Sequence, residues 1–132
     1  MILDTSAVVA VARGEAEASQ VAEAVAGAES LAISAATLVE LHAVVARTGS
    51  DRLARLVATL LEQWQPEVAA FDADHAKLAS RAYRIFGRGS GHAAALNLGD
   101  TFSYALAIAR DEPLLYVGDG FARTDVAAAL TS

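Results

Sequence analysis

Met1-Ile2-Leu3-Asp4-Thr5-Ser6 opens the chain and decides how the rest of it is read. The apolar triplet is too short to make a helix, and the Thr-Ser pair behind it is a helix N-cap signal. Residues 1–3 are therefore expected to form a buried strand and residues 6–12 a short helix stopped near Gly14. Asp4 then stands where strand gives way to helix, at the edge of an open α/β sheet where ligands collect. Alone, a carboxylate there has two uses: it can accept hydrogen bonds from the helix N-terminus, or it can hold a ligand. The choice turns on which other acids reach the same edge.

Outward from that strand, helix-like and strand-like stretches alternate. Residues 15–26, rich in Ala, Glu and Val and followed by Gly27, read as a second helix. Leu31-Ala32-Ile33 is the next short apolar run, with Ser34 as N-cap for a helix over 35–47 that ends at Gly49. Ser50 and Asp51 open another, in which Leu53, Leu56, Val57, Leu60 and Leu61 recur at helical spacing. That stripe covers either the core or a subunit interface, and Pro66 closes the element. Residues 68–71 read as a third strand, Asp72 caps a helix to about Phe86, and residues 87–91 form a glycine-rich surface loop. The loop lacks the Gly-Lys-Ser or Gly-Lys-Thr of a phosphate-cradling turn. A helix over 100–110 and a strand over 114–117 complete the pattern. Alternation of this kind predicts an α/β domain, a parallel sheet covered on both faces.

The chain has 132 residues, 55% of them hydrophobic and 20% charged, which excludes a disordered chain and suits one domain with a real core. It contains no cysteine, so disulfides, thiolate nucleophiles and sulfur-built zinc sites are out. No uncharged stretch reaches the ~18 residues of a membrane span, and Asp4 interrupts the start of any secretory leader. A soluble, cytoplasmic protein is expected. The net charge of −6 disfavours indiscriminate coating of nucleic acid, so any such contact must come through a local basic patch or bound cations.

Three further acids decide what Asp4 is for. Glu40 falls on one helical line with Ala36 and Val44, so apolar neighbours flank it one turn either side. Helix-forming preference explains it if it stands alone; burial beside other acids would instead raise its pKa and call for a compensating cation. Asp100 follows Gly99 at the head of a helix with Ser103 three residues on, a good capping arrangement that leaves its other oxygen for a metal. Asp119 follows the last strand and Gly118, at the same sheet edge as Asp4 or simply in a Gly-Asp-Gly turn, with Asp125 a possible substitute. Oxygen donors from Asp and Glu alone select a hard cation, magnesium or manganese. His42, His75 and His92 are scattered and form no triad.

Four stretches, Met1-Ile2-Leu3-Asp4-Thr5-Ser6-Ala7, Ala36-Thr37-Leu38-Val39-Glu40, Leu98-Gly99-Asp100-Thr101-Phe102-Ser103-Tyr104-Ala105-Leu106-Ala107 and Pro113-Leu114-Leu115-Tyr116-Val117-Gly118-Asp119, together resemble the PIN-domain ribonucleases of the VapC toxin family. The likeness runs nearly end to end and includes Phe121-Ala122-Arg123-Thr124-Asp125-Val126. It implies a three-layer α/β/α PIN-like domain over residues 1–132, with a central, mostly parallel sheet of four to five strands. By resemblance Asp4, Glu40 and Asp100 are the main catalytic, metal-ligating acids, supported by Thr5, Ser6 and Ser103. Related chains place a fourth acid immediately before the Phe, where this sequence has Gly120, and Asp119 one residue earlier takes its place.

The chemistry so implied is that of a type II toxin: Mg2+- or Mn2+-dependent hydrolysis of RNA by activated water, leaving a 5′-phosphate and a 3′-hydroxyl. Lys77, Arg81, Arg84 and Arg88, spaced along one helix face, are candidates for gripping RNA, or a solvated face partly neutralised by Asp72 and Asp74. Partners implied are a cognate VapB-type antitoxin, an RNA substrate and a second copy of the chain, with the Leu53–Leu61 helix a candidate dimer face and DNA touched only through the antitoxin. Two rivals stand beside this reading. One is a PIN-like module that binds antitoxin or RNA without cleavage. The other is a phosphotransfer domain with Asp4 as nucleophile, which would want a second Asp where Ser6 stands.

Overall fold

The computed structural model describes residues 1–130; the last two positions of the expected 1–132 domain lie outside the described residues. Its elements follow the chain as β1 (Ile2–Leu3), α1 (Thr5–Arg13), α2 (Ala18–Gly27), β2 (Ala32–Ser34), α3 (Ala35–Thr48), α4 (Asp51–Trp64), β3 (Glu67–Ala69), α5 (Ala73–Phe86), α6 (Leu98–Arg110) and β4 (Leu114–Leu115), then a 3-10 turn at Phe121–Arg123. The strands are short, two or three residues each. They pair in the order β3-β2-β1-β4, every described pairing parallel, with Ile2 opposite both Ala32 and Leu114. The chain order thus reverses between β1 and β4, and that reversal opens a crevice at the carboxyl ends of those two strands.

Alternation along the strands builds the three layers. Ile2, Ala32 and Leu114 join Ala82, Tyr104, Leu106 and Ala107 of α5 and α6 in one apolar cluster. Leu3, Ile33 and Leu115 point the other way, into a cluster with Ala7, Val8, Val21, Leu41, Leu53 and Val57 from α1 to α4. Leu53 and Val57 are buried there, with Leu60 and Leu61 packed against them, so the α4 stripe is mainly core; only Leu56 is left exposed. Beyond β4 the tail returns alongside it, where the Leu114 N–H donates to the Ala127 carbonyl and the Ala129 N–H to that of Leu114.

Local signals explain most boundaries. Ser34, Ser50 and Asp72 accept from backbone N–H groups at the starts of α3, α4 and α5. Gly14 and Gly49 end α1 and α3 in the left-handed region. Two expectations shift. The N-cap of α1 is Asp4, whose side chain accepts from the Ser6 N–H, not the Thr-Ser pair. Helix α6 begins at Leu98 because Asn97 caps it and Asp100, in the first turn, reaches back to the Asn97 N–H: a reciprocal capping box with Asp100 at its third position.

Candidate active site

The crevice between β1 and β4 is where Asp4 sits, its backbone N–H donating to the Leu115 carbonyl at 3.0 Å. The side chain is almost fully buried, at 2% exposure, and both oxygens are held. The Ser6 hydroxyl and N–H donate to Oδ2 at 2.6 and 3.0 Å, and the Ser103 hydroxyl donates to Oδ1 at 2.5 Å. Ser6 Oγ in turn accepts from the Val117 N–H at 3.0 Å, tying the exit from β4 to the exit from β1. A buried carboxylate without such donors would cost far more than this arrangement does. Asp4 therefore caps α1 while its carboxylate is held in place by three donors.

Glu40, on α3, receives a hydrogen bond from the Thr5 hydroxyl on Oε1 at 2.5 Å. Burial pushes its pKa up and the charge of Asp4 adds to that, opposed by the Thr5 hydrogen bond and by the Arg47 guanidinium. Asp100 is held by the capping box, its Oδ2 accepting from the Asn97 N–H at 2.9 Å. Its pKa is raised to about 6, chiefly by burial, then by Asp4, with Glu40 contributing, while the Asn97 N–H and the Arg88 charge pull the other way. Three separate stretches of chain thus bring these acids close enough that the charge of Asp4 acts on Glu40 and Asp100, and that of Glu40 on Asp100.

Thr5, Ser6 and Ser103, expected as supports, all donate to these carboxylates. Asp119 is exposed, two residues beyond the pinned Val117, and makes no hydrogen bond to the three acids among the described residues. A Cβ at Gly120 would lie 3.1 Å from the Ala94 carbonyl oxygen, so the backbone there is packed against the neighbouring loop. Asp125 instead accepts from the Tyr104 hydroxyl, which holds the Tyr104 phenol well above its usual pKa together with burial, the larger cause. Lys77, Arg81, Arg84 and Arg88 are all exposed. Arg88 reaches Asp100 by its charge, whereas Arg81 lies by Tyr104 and Asp125 in a separate cavity of about 220 Å³. Among the described residues no histidine hydrogen-bonds to Asp4, Glu40 or Asp100; His75 packs edge-on against Phe71, and His92 Nδ1 accepts from the Ala94 N–H.

Two contributors went unnoticed in the sequence. Arg47 lines a cavity of about 420 Å³ with Glu40, Leu98, Gly99 and Phe102. Its spacing of seven residues from Glu40, two helical turns along one face, was the available clue. Asn97 was missed because Asp100 offered a cap on its own.

Among the described residues no three His, Cys, Asp or Glu side chains form a ready-made metal cage. The chemistry of the donors nevertheless fits a hard divalent cation: every side-chain ligand on offer is a carboxylate oxygen, and the like charges that raise Asp100 and Glu40 are what a cation would relieve. No described helix is long and apolar enough to cross a membrane.

Residues 1–127 match the family model of the PIN domain. The chain is 49% identical over 131 residues to Ribonuclease VapC42 of Mycobacterium tuberculosis, covering 99% of this chain and 100% of that protein. It is 44% identical over 130 residues to Ribonuclease VapC28 of the same species, covering 98% of each. Among solved structures, the crystal structure of M. tuberculosis VapC20, described as a Sarcin-Ricin loop cleaving toxin, superposes with a TM-score of 0.69 over 95% of both chains at 17% identity, a likeness of fold.

Proposed function

The chain belongs to the PIN-domain family, among the VapC ribonucleases, and we propose that it is a metal-dependent endoribonuclease, the toxin of a type II toxin–antitoxin pair. The observation that supports the reading is the convergence of Asp4, Glu40 and Asp100, with Asp4 raising the proton affinity of the other two and Glu40 that of Asp100, near the point where the strand order reverses. Asp4, Glu40 and Asp100 would hold one or two magnesium or manganese ions, with Asp119 as fourth acid beyond β4. Bound there, the cation would lower the pKa of an attacking water and offset charge growing on the phosphate and the leaving oxygen.

The chain's own residues supply the geometry. Ser6 and Ser103 fix both oxygens of Asp4, Thr5 fixes Glu40, and the Asn97–Asp100 box fixes the third carboxylate without any of them having to find a rotamer on binding. Arg47 and Arg88 flank the acids on the Glu40 and Asp100 sides, the local cations that an acidic domain needs to meet a phosphate backbone. The products are an RNA 5′-phosphate and 3′-hydroxyl. Silencing comes from a cognate VapB-type antitoxin whose basic segment is drawn to the acidic pocket; the chain works in the cytoplasm as a homodimer and meets DNA only through that antitoxin.

Pure protein incubated with structured RNAs, a sarcin–ricin-type hairpin among them, should cleave with manganese present and not with chelator, and Asp4→Asn should be silent. Equal background from both proteins would favour the second reading, a module that binds antitoxin or RNA without cutting, for which the glycine at position 120 speaks.

A further inference from the structure

Gly99 lies inside the first turn of α6, in a buried position and without the positive φ that would demand a glycine. A glycine within a helix is a liability relative to alanine, so its use here needs another cause. A Cβ at this position would fall 1.4 Å from Glu40 Oε2, 2.2 Å from Cδ and 2.9 Å from Oε1. No other described glycine has a carboxylate in the space its side chain would take.

We infer that Gly99 is a positioning residue: the side chain it lacks is the slot that holds the Glu40 carboxylate, with the Thr5 hydroxyl closing the slot from the other side. The slot does two things. It fixes Glu40 between α1 and α6, so that its charge is delivered to the pocket shared with Asp4 and Asp100. It also sets that charge against the amino end of α6, where the helix dipole places partial positive charge. The obstruction created by alanine is the flexible end of a glutamate, not backbone, so the fold survives Gly99→Ala and the carboxylate is what moves.

This inference rests on the proposed metal-holding role of Glu40, and its test keeps the two apart. A crystal structure of Gly99→Ala should show the helix in place and the Glu40 carboxylate withdrawn from Thr5; an unmoved carboxylate overturns the inference whatever the protein does with RNA. Manganese titration gives the functional arm. Gly99→Ala should weaken Mn2+ binding ~10–100-fold, the range typical of residues that orient metal ligands. In a Glu40→Ala background, where nothing is left to displace, the same alanine should change Mn2+ affinity less than about two-fold and raise the melting temperature. Equal losses in both backgrounds, or none in the wild-type background, would overturn it. A wild-type protein that binds no manganese would remove the proposed function, while the displaced carboxylate in the variant would still establish the slot.

Discussion

Replacing Asp100 with asparagine should make the metal-free protein more stable, an unusual result for a buried site residue. Its carboxyl pKa is raised from 3.8 to about 6, so near neutrality the folded protein carries a charge that burial, Asp4 and Glu40 all oppose. Two units correspond to ~3 kcal/mol; Asp100 is partly exposed, and solvent screening reduces this to ~1–2 kcal/mol. Asparagine removes the charge yet keeps an oxygen able to accept from the Asn97 N–H, so the cap of α6 survives. For a domain of this size the gain is ~3–10 °C in melting temperature. The pH dependence has a definite sign. Between the unfolded and folded pKa values, roughly pH 4 to 6, the native state binds more protons than the unfolded chain, so this site's contribution falls as pH rises and is fully lost above about 6. Differential scanning fluorimetry in EDTA from about pH 4 to 8 reads both effects, and the variant should flatten the pH slope of the wild type between about 4 and 6. Millimolar manganese should then reverse the order, stabilising the wild type by linkage and the variant little. An Asp100→Asn protein that melts below the wild type in EDTA at pH 7.5 would refute the claim that these acids repel one another in one pocket.

Other outcomes follow from the same geometry. Ser103→Ala removes the donor to Asp4 Oδ1 and should slow RNA cleavage ~10–100-fold in a single-turnover assay while the fold persists. Thr5→Val, which deprives Glu40 of its hydroxyl partner, should have a similar effect on cleavage, with ~1 kcal/mol lost in urea unfolding. Leu53→Ala should cost ~2–5 kcal/mol because the side chain is core, while Leu56→Ala on the exposed flank of α4 should stay within about 0.5 kcal/mol. Arg88→Ala should weaken RNA binding across sequences and lower the salt slope by about 1, whereas Lys77→Ala, which has no tie to the acids, should leave both nearly unchanged.

The α/β order and most helix boundaries were legible because they depend on local signals: apolar triplets too short for helices, and Ser, Asp and Gly at the caps. Asp4, Glu40 and Asp100 could be picked out as candidates, since an acid after a buried strand or among apolar helix neighbours stands out from its surroundings. What depended on three-dimensional approach was harder to read. Gly99 looks like an ordinary turn-former beside Asp100 until Glu40 is seen in the space its side chain would fill. The spacing of Lys77, Arg81, Arg84 and Arg88 suggests a shared face, and the structure adds what spacing does not carry: the charge of Arg88 acts on Asp100 and that of Arg81 on Tyr104. The α4 stripe pointed to core ahead of a subunit interface in sequence, and packing against α1 and the sheet places Leu53 and Val57 in the core. Asp119 is read from its place after β4, and a side chain at position 120 would crowd the Ala94 carbonyl at 3.1 Å.

The most direct test of the central claim is a crystal soaked in manganese with anomalous scattering recorded at the manganese edge. The account predicts a peak in the crevice between β1 and β4, in contact with Asp4 and Asp100 and with Glu40 directly or through one water. Manganese bound elsewhere, with the three carboxylates still turned to their serine, threonine and backbone donors, would contradict it.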